Sequence, residues 1–333
     1  MFSPLHSEFH PPFALRNPHV QTIVGTYLRI TDRPQATVRH EVELANGDRL
    51  VLHDDCPSEW QSGDRVVILM HGLAGSHQST YMVRTAVKLN QAGIRTFRKD
   101  LRGHGAGFAL ANEFGHAGRS DDVGPALHFV NELCPESQIT LVGFSLSGNI
   151  VLKYLAEHSR STPACLDSVV TVSPPIDLMA CGRNLRRGFN RFYDREFVKC
   201  LHQLAYHRHR SVPELGANPL VSMPPRLWEF DDQYTAPMSG FDGIEDYYAR
   251  CSAGRLLKDV RVPTIILASA DDPLVPSTIY ERYPMSSAIT LHMAQHGGHL
   301  GFVGQSGVDP DCRWMDWRIV DFVKHIGNTK NQD

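Results

Sequence analysis

Scarcities narrow the possibilities first. The 333 residues hold only seven cysteines (Cys56, Cys134, Cys165, Cys181, Cys200, Cys251, Cys312), an odd number, widely scattered and never in a CxxC pair. A disulfide framework and a structural zinc site are therefore not indicated, and reduced, mostly buried thiols are expected. No window approaches 18 uninterrupted apolar residues, and the opening MFSPLHSEFHPPF has neither the basic nor the apolar stretch of a secretion signal. A cytoplasmic location is the expectation. The formal net charge is only -3, which gives no global attraction to nucleic acid. Internal repeats and low-complexity stretches are absent too. What is there, 42% hydrophobic and 21% charged residues with 26 glycines and 21 prolines, describes an ordinary folded chain and leaves out disorder, collagen and coiled coil.

Apolar periodicity supplies the organisation. Thr37 to Leu44 and Arg49 to His53 flank Asn46-Gly47, a hairpin signal because both residues accept positive φ. The continuous run Val66 to Met70 reads as a strand covered on both faces. Helical stretches at about Thr80 to Gln91, Asp121 to Leu133 and Leu146 to His158 then alternate with strands at Ile94 to Lys99, Ile139 to Val142 and Ser168 to Val172. After Ser173-Pro174-Pro175 the alternation lapses for roughly 80 residues, a count read from the sequence, before strands at Thr264 to Ala268 and Ala288 to Met293 and a closing helix from about Trp314 to Ile326. This spacing predicts an α/β fold: a mostly parallel sheet with helices on both faces. The expected division is an N-terminal extension (1–36) packing on the core, a core (37–175 and 256–333) and a cap insertion (176–255).

Three loops follow apolar strands in a telling order. Gly143-Phe144-Ser145-Leu146-Ser147-Gly148 joins a strand to a helix, the context in which a G-x-S-x-G-like sequence forces a serine into a sharp, strained turn. Ser147 stands where the pattern has glycine. A hydroxyl is a poor nucleophile at neutral pH, so the chemistry needs a histidine base and a carboxylate to orient it. Asp271-Asp272-Pro273 follows the strand Thr264 to Ala268, and His296-Gly297-Gly298-His299 follows the strand Ala288 to Met293. Asp272, beside the Pro-Leu-Val-Pro segment, is preferred over Asp271, and His299, flanked by Gly298 and Gly301, over His296. Motif position assigns an oxyanion hole to the backbone amides of Leu73, in the loop His71 to Ser76, and Leu146.

Together these segments resemble the YheT-like branch of the α/β-hydrolase superfamily. The matching residues are Asn17-Pro18-His19-Val20-Gln21-Thr22-Ile23, His71 to Ser76, Arg102-Gly103, His116-Ala117-Gly118 with Asp121-Asp122, and Gly143 to Leu146 with Gly148-Asn149. They continue through Glu229 to Asp232, Thr235-Ala236-Pro237, Gly240-Phe241, Tyr247-Tyr248, Asp271-Asp272-Pro273 and Gly297 to Phe302, so the resemblance runs nearly end to end. The family's usual elbow is Gly-Phe-Ser-Leu-Gly-Gly-Asn, from which Ser147 departs. The resemblance implies an α/β-hydrolase fold with a helical cap and an ester hydrolase or acyl-transfer enzyme using Ser145, Asp272 and His299.

The expected activity is hydrolysis of carboxylic, lipid-like esters through an acyl-enzyme. Acyl transfer to an alcohol, thioester cleavage and non-catalytic ligand binding are the competing readings. Nothing calls for a cofactor, and the clusters His207-Arg208-His209-Arg210 and His292, His296, His299 lack a carboxylate or thiol at metal-ligand spacing. Trp228, Tyr247 and Tyr248 fit either an acyl pocket or packing, and Asp100 to Gly105 reads as a structural turn. Between 183 and 210, Arg183, Arg186, Arg187, Arg191, Arg195, Lys199, Arg208 and Arg210 face only Asp194 and Glu196. Five of them recur every fourth residue beside Leu185, Phe189, Phe192, Phe197, Leu201 and Leu204, which predicts a basic amphipathic helix over 183–199. It is expected either to cap the site with a solvated charged side or to attract an anionic membrane, in weak peripheral contact, or the phosphate of an acyl substrate.

Overall fold

Asn17 opens the first helix, α1 (Pro18–Tyr27): its side chain accepts the amides of His19 and Val20, and Pro18 occupies the first turn, where a missing N–H costs nothing. The computed structural model describes residues 8–28, 34 and 37–330, with side chains to 326; the rest of the expected N-terminal extension lies outside the described residues. The hairpin β1 (Val38–Glu43) and β2 (Arg49–Asp55) forms about Gly47, whose φ of 84° is the positive value the turn requires.

Then β3 (Val66–Met70), α2 (Thr80–Gln91), β4 (Arg95–Lys99), α3 (Val123–Leu133), β5 (Ile139–Phe144), α4 (Leu146–Glu157) and β6 (Leu166–Val172) alternate, and β7 (Thr264–Ser269) and β8 (Ile289–Ala294) complete the sheet. The eight strands lie in the order β1-β2-β4-β3-β5-β6-β7-β8. Only the β1–β2 and β2–β4 pairs are antiparallel. The two faces share out each central strand by its period of two. Val66, Ile68 and Met70 join Leu127 of α3 and Ile150 of α4 in one cluster, whereas Val67 and Leu69 join Met82 of α2 and Val323 of the closing helix Trp314–Lys330 in the other.

Between β6 and β7 the chain forms α5 (Leu178–Leu185), α6 (Asn190–Ser211) and shorter turns, among them the helix Ile244–Cys251. A third cluster joins Leu185, Leu201 and Phe230 of this segment to Ile266 and Ala268 of β7. The single helix predicted over 183–199 is instead two: Arg186 to Phe189 break it, with Gly188 turning at φ 46°. Leu185 and Leu201 are buried as expected, but Phe189 and Phe192 are 53% and 50% exposed; on α6 Phe192 stands about two and a half turns before Leu201 and so faces the opposite way. Arg208, counted among the basic residues, is fully buried. The cysteine expectation also needs adjustment. All seven are unpaired, yet only Cys134, Cys181 and Cys251 are buried, and Cys56 and Cys200 are exposed.

Candidate active site

Three loops meet at the carboxyl edge of the parallel strands, where α/β sheets leave room for a ligand. The first is the turn from β5 into α4. Ser145 sits there at φ 49° and ψ -116°, left-handed backbone that a non-glycine residue avoids, and its N–H is tied to the Val172 carbonyl at 2.8 Å. So tight a turn leaves no room beside it. A Cβ at Gly143 would stand 2.7 Å from the Ser147 carbonyl oxygen, and one at Gly72 would stand 3.1 Å from the Ser145 Cβ. Ser147, the departure from glycine, points its hydroxyl the other way and donates to the His71 carbonyl, so the extra oxygen is paired.

The second and third loops bring an acid and an imidazole to that serine. His299 Nε2 stands 2.9 Å from Ser145 Oγ, and His299 Nδ1 stands 2.8 Å from Asp272 Oδ2. Asp272 is itself held by the turn after β7, its Oδ1 accepting the amides of Leu274 and Val275 at 2.8 and 2.9 Å. Both Asp272 and His299 are 8% exposed, which keeps bulk water from most of either side chain. Asp271 and His296 form a separate pair 3.2 Å apart, with Asp271 also accepting the Gly298 amide. A hydroxyl, an imidazole and a carboxylate in this sequence can draw a proton from the hydroxyl and store it on the ring.

Leu73 and Leu146 lie in the same cavity as Ser145. The amide of Gly72 is taken by the Tyr81 hydroxyl at 2.8 Å, but among the described residues neither Leu73 nor Leu146 donates its N–H to a protein acceptor. His71 braces this loop: Nδ1 donates to the Gly72 carbonyl and Nε2 accepts the Leu101 N–H, an arrangement that requires neutral imidazole. Burial agrees, lowering the His71 pKa to about 4.

The cavity is open to solvent and has mostly apolar walls. Leu178, Leu185 and Phe197 come from α5 and α6, Tyr247 and Tyr248 from the helix Ile244–Cys251. Trp228 stands behind, edge-on to Tyr248 at 5.7 Å. Asp231, an acidic side chain in the cavity wall, accepts the Tyr248 hydroxyl at 2.8 Å, and burial raises its pKa to about 6.

Neither histidine cluster weighed in the sequence forms a metal cradle among the described residues; the group close enough to hold an ion is His53, His77 and Asp100. Its geometry argues for a hydrogen-bonded network instead. The two rings stack 3.5 Å apart at 15°, so no ion can lie in both ring planes, where the nitrogen lone pairs point. Asp100 is satisfied already by the amides of His77 and Ala106. Burial opposes its charge, but hydrogen bonds from His53 and His77 hold its carboxyl well below the ordinary range.

Serine, histidine and carboxylate on these loops of this sheet describe an α/β hydrolase, and sequence comparison agrees. The sequence profile of the family described as alpha/beta hydrolase fold matches residues 65–305, so the chain belongs to that family. It is 29% identical to the YheT protein of Escherichia coli (strain K12), over 95% of this chain and 93% of that one. It is 27% identical to phospholipase ABHD3 of Mus musculus, over 91% of this chain and 75% of that one. The solved esterase Pf2001 of Pyrococcus furiosus shares the fold with a TM-score of 0.55 at 16% identity, covering 97% of this chain and 99% of that one. Among the described residues no helix is long and apolar enough to cross a membrane.

Several residues that build the site carry no chemistry of their own and had no assigned role. Gln21 of α1 clamps the histidine loop, donating to the Val303 carbonyl at 3.0 Å and accepting the Val303 amide at 2.8 Å. Thr22 accepts the His299 amide at 2.9 Å. Asn149 of α4 donates to the carbonyls of Ala117 and Cys251 and accepts the Ala253 amide, fastening the serine's helix to two distant segments. Their signal was the Asn17 to Ile23 and Gly148-Asn149 matches, which point to a place in the family pattern without saying what the side chains do.

Proposed function

We propose that the protein is a serine esterase acting on carboxylic esters with an apolar acyl portion. The hydrogen-bonded series from Ser145 through His299 to Asp272, 2.9 and 2.8 Å, carries this reading. Ser145 Oγ attacks the acyl carbonyl as His299 Nε2 takes its proton; the tetrahedral oxyanion turns toward the amides of Leu73 and Leu146; His299 returns the proton to the departing alcohol. Water, activated by the same imidazole, then releases the acid and restores the serine. Asp272 holds the ring in the tautomer that leaves Nε2 free to accept. Residues 176–255 act as the cap whose leucine and tyrosine side chains take the acyl chain. The mouse relative is named a phospholipase, which agrees with cleavage of a lipid ester.

A fluorophosphonate probe tests the reading. It is expected to label Ser145 and to leave Ser145→Ala unlabelled, with Ser145→Ala losing about a millionfold in ester hydrolysis. Asp272→Asn should cost about 10⁴-fold through the wrong ring tautomer, whereas Asp271→Asn should leave most activity. Labelling that persists in Ser145→Ala, or a larger loss at Asp271 than at Asp272, overturns the assignment.

A further inference from the structure

The corner between α5 and α6 has features that ester cleavage does not use. Phe189 and Phe192 stand half exposed with ring centroids 5.7 Å apart. They are not loose: the buried Tyr193 lies 6.0 and 5.7 Å behind them, and His19 of α1 packs 4.6 Å from Phe189. Around them Arg183, Arg186, Arg187, Arg191, Arg195 and Lys199 are all exposed, and among the described residues none of these cations is in an ion pair. Arg186 lies over the Trp228 ring, and Arg191 donates to the Arg186 carbonyl. Across 183–199 Glu196 is the single exposed carboxylate, since Asp194 is buried and accepts the Leu227 amide.

We propose that this corner docks the protein on an anionic lipid bilayer, with Phe189 and Phe192 entering the boundary between headgroups and acyl chains and the surrounding guanidinium groups meeting lipid phosphates. Two phenyl rings held proud of a cationic surface match that boundary, which is apolar on one side and anionic on the other. A nucleic acid would reward rings spaced for successive bases, whereas these two pack on each other. Charge also orients the approach. The whole chain is net negative at -3, so the cationic corner is drawn to an anionic membrane while the remainder is repelled. The opposite sides of the same helices, through Cys181, Leu185 and Phe197, line the cavity that holds Ser145, so a docked molecule presents that cavity close to the lipid.

Binding does not depend on the serine chemistry, so co-sedimentation of the full-length protein with vesicles tests this proposal separately from the esterase reading. The protein is expected to pellet with phosphatidylcholine vesicles containing phosphatidylglycerol, not with phosphatidylcholine alone, and to be released as salt screens the charges. Phe189→Ala/Phe192→Ala and Arg187→Glu/Arg191→Glu/Arg195→Glu should each lower vesicle partitioning by about tenfold or more, while hydrolysis of a short soluble ester stays at the wild-type rate. Absence of binding to the anionic vesicles, binding insensitive to salt, or unaltered binding by both variants overturns the proposal. So does self-association in dilute solution that Phe189→Ala abolishes, which would make the corner an interface between two copies.

Discussion

Thr22 and His299, 277 residues apart in sequence, share a hydrogen bond: the Thr22 hydroxyl accepts the His299 backbone N–H at 2.9 Å and donates its own O–H to the Pro18 carbonyl at 2.8 Å. Beside it Gln21 pairs with Val303 in both directions. The loop presenting the imidazole is thus set by a helix from the other end of the chain. Backbone closeness makes the fit exacting, since a Cβ at Gly301 would lie 2.5 Å from the Gln21 carbonyl oxygen and one at Gly298 would lie 2.5 Å from that of Pro18.

Thr22→Val keeps the shape and removes the acceptor, leaving the His299 amide buried and unpaired at a cost of about 1–3 kcal/mol. A lower unfolding temperature and a drop in kcat of about tenfold at nearly constant KM are expected, because a misaimed base weakens the transition state more than substrate binding. Thr22→Ser should recover most of kcat. Steady-state hydrolysis of a chromogenic ester beside thermal unfolding checks this, and an unchanged kcat in Thr22→Val would show that α1 does not position the base.

The legibility of this molecule follows the range of its interactions. Strands such as Val66–Met70 are local patterns, and the three loops of the candidate relay could be found because each directly follows one. Contacts made by polar side chains across the fold leave no such mark. Nothing in Gln21 or Asn149 alone reveals which carbonyl it will meet, and the stripe from Arg183 to Lys199 is perfectly periodic although Arg186 to Phe189 interrupt the helix. Periodicity reports which face a residue would take if the helix were continuous; Gly188, free to adopt positive φ, ended that condition.

Asp231 has a titration that should show in stability. Burial raises its pKa from 3.8 to about 6, opposed by hydrogen bonds from Thr235 and Tyr248, while the Asp194 charge pushes the same way as burial. Because the folded pKa lies above the unfolded one, the folded state holds this proton longer. Its contribution therefore turns unfavourable as pH rises from about 4 to about 6 and stays so above, by about 3 kcal/mol at 1.36 kcal/mol per unit. Asp231→Asn, which keeps an acceptor for Tyr248, should be more stable than wild type at pH 8, and the gap should shrink to about a third at pH 4.5. Urea unfolding at the two pH values measures it; an equal gap at both would mean that the carboxyl does not titrate in this window.

Arg208 makes the strongest structural claim on α6. Its guanidinium is fully buried and among the described residues meets no carboxylate; it donates to the carbonyls of Gly103, Phe108, Ala111, Asn112 and Glu113 at 2.8 to 3.3 Å, closing the loop after β4 against the helix. Burial accordingly lowers its pKa from the ordinary arginine value. A planar fork can satisfy five acceptors spread along a loop where an ammonium cannot, so Arg208→Lys should behave almost as badly as Arg208→Met. Each leaves buried carbonyls unpaired, and a loss of about 3–5 kcal/mol is expected. The partner position is equally constrained: Gly103 has φ 68°, and a Cβ there would lie 2.1 Å from Arg208 Nη1, so Gly103→Ala should destabilise by expelling the guanidinium. Combining Gly103→Ala with Arg208→Met should then cost much less than the sum of the two, since the second change removes the group that the first displaces. Strict additivity in chemical unfolding would show that the arginine does not reach that loop.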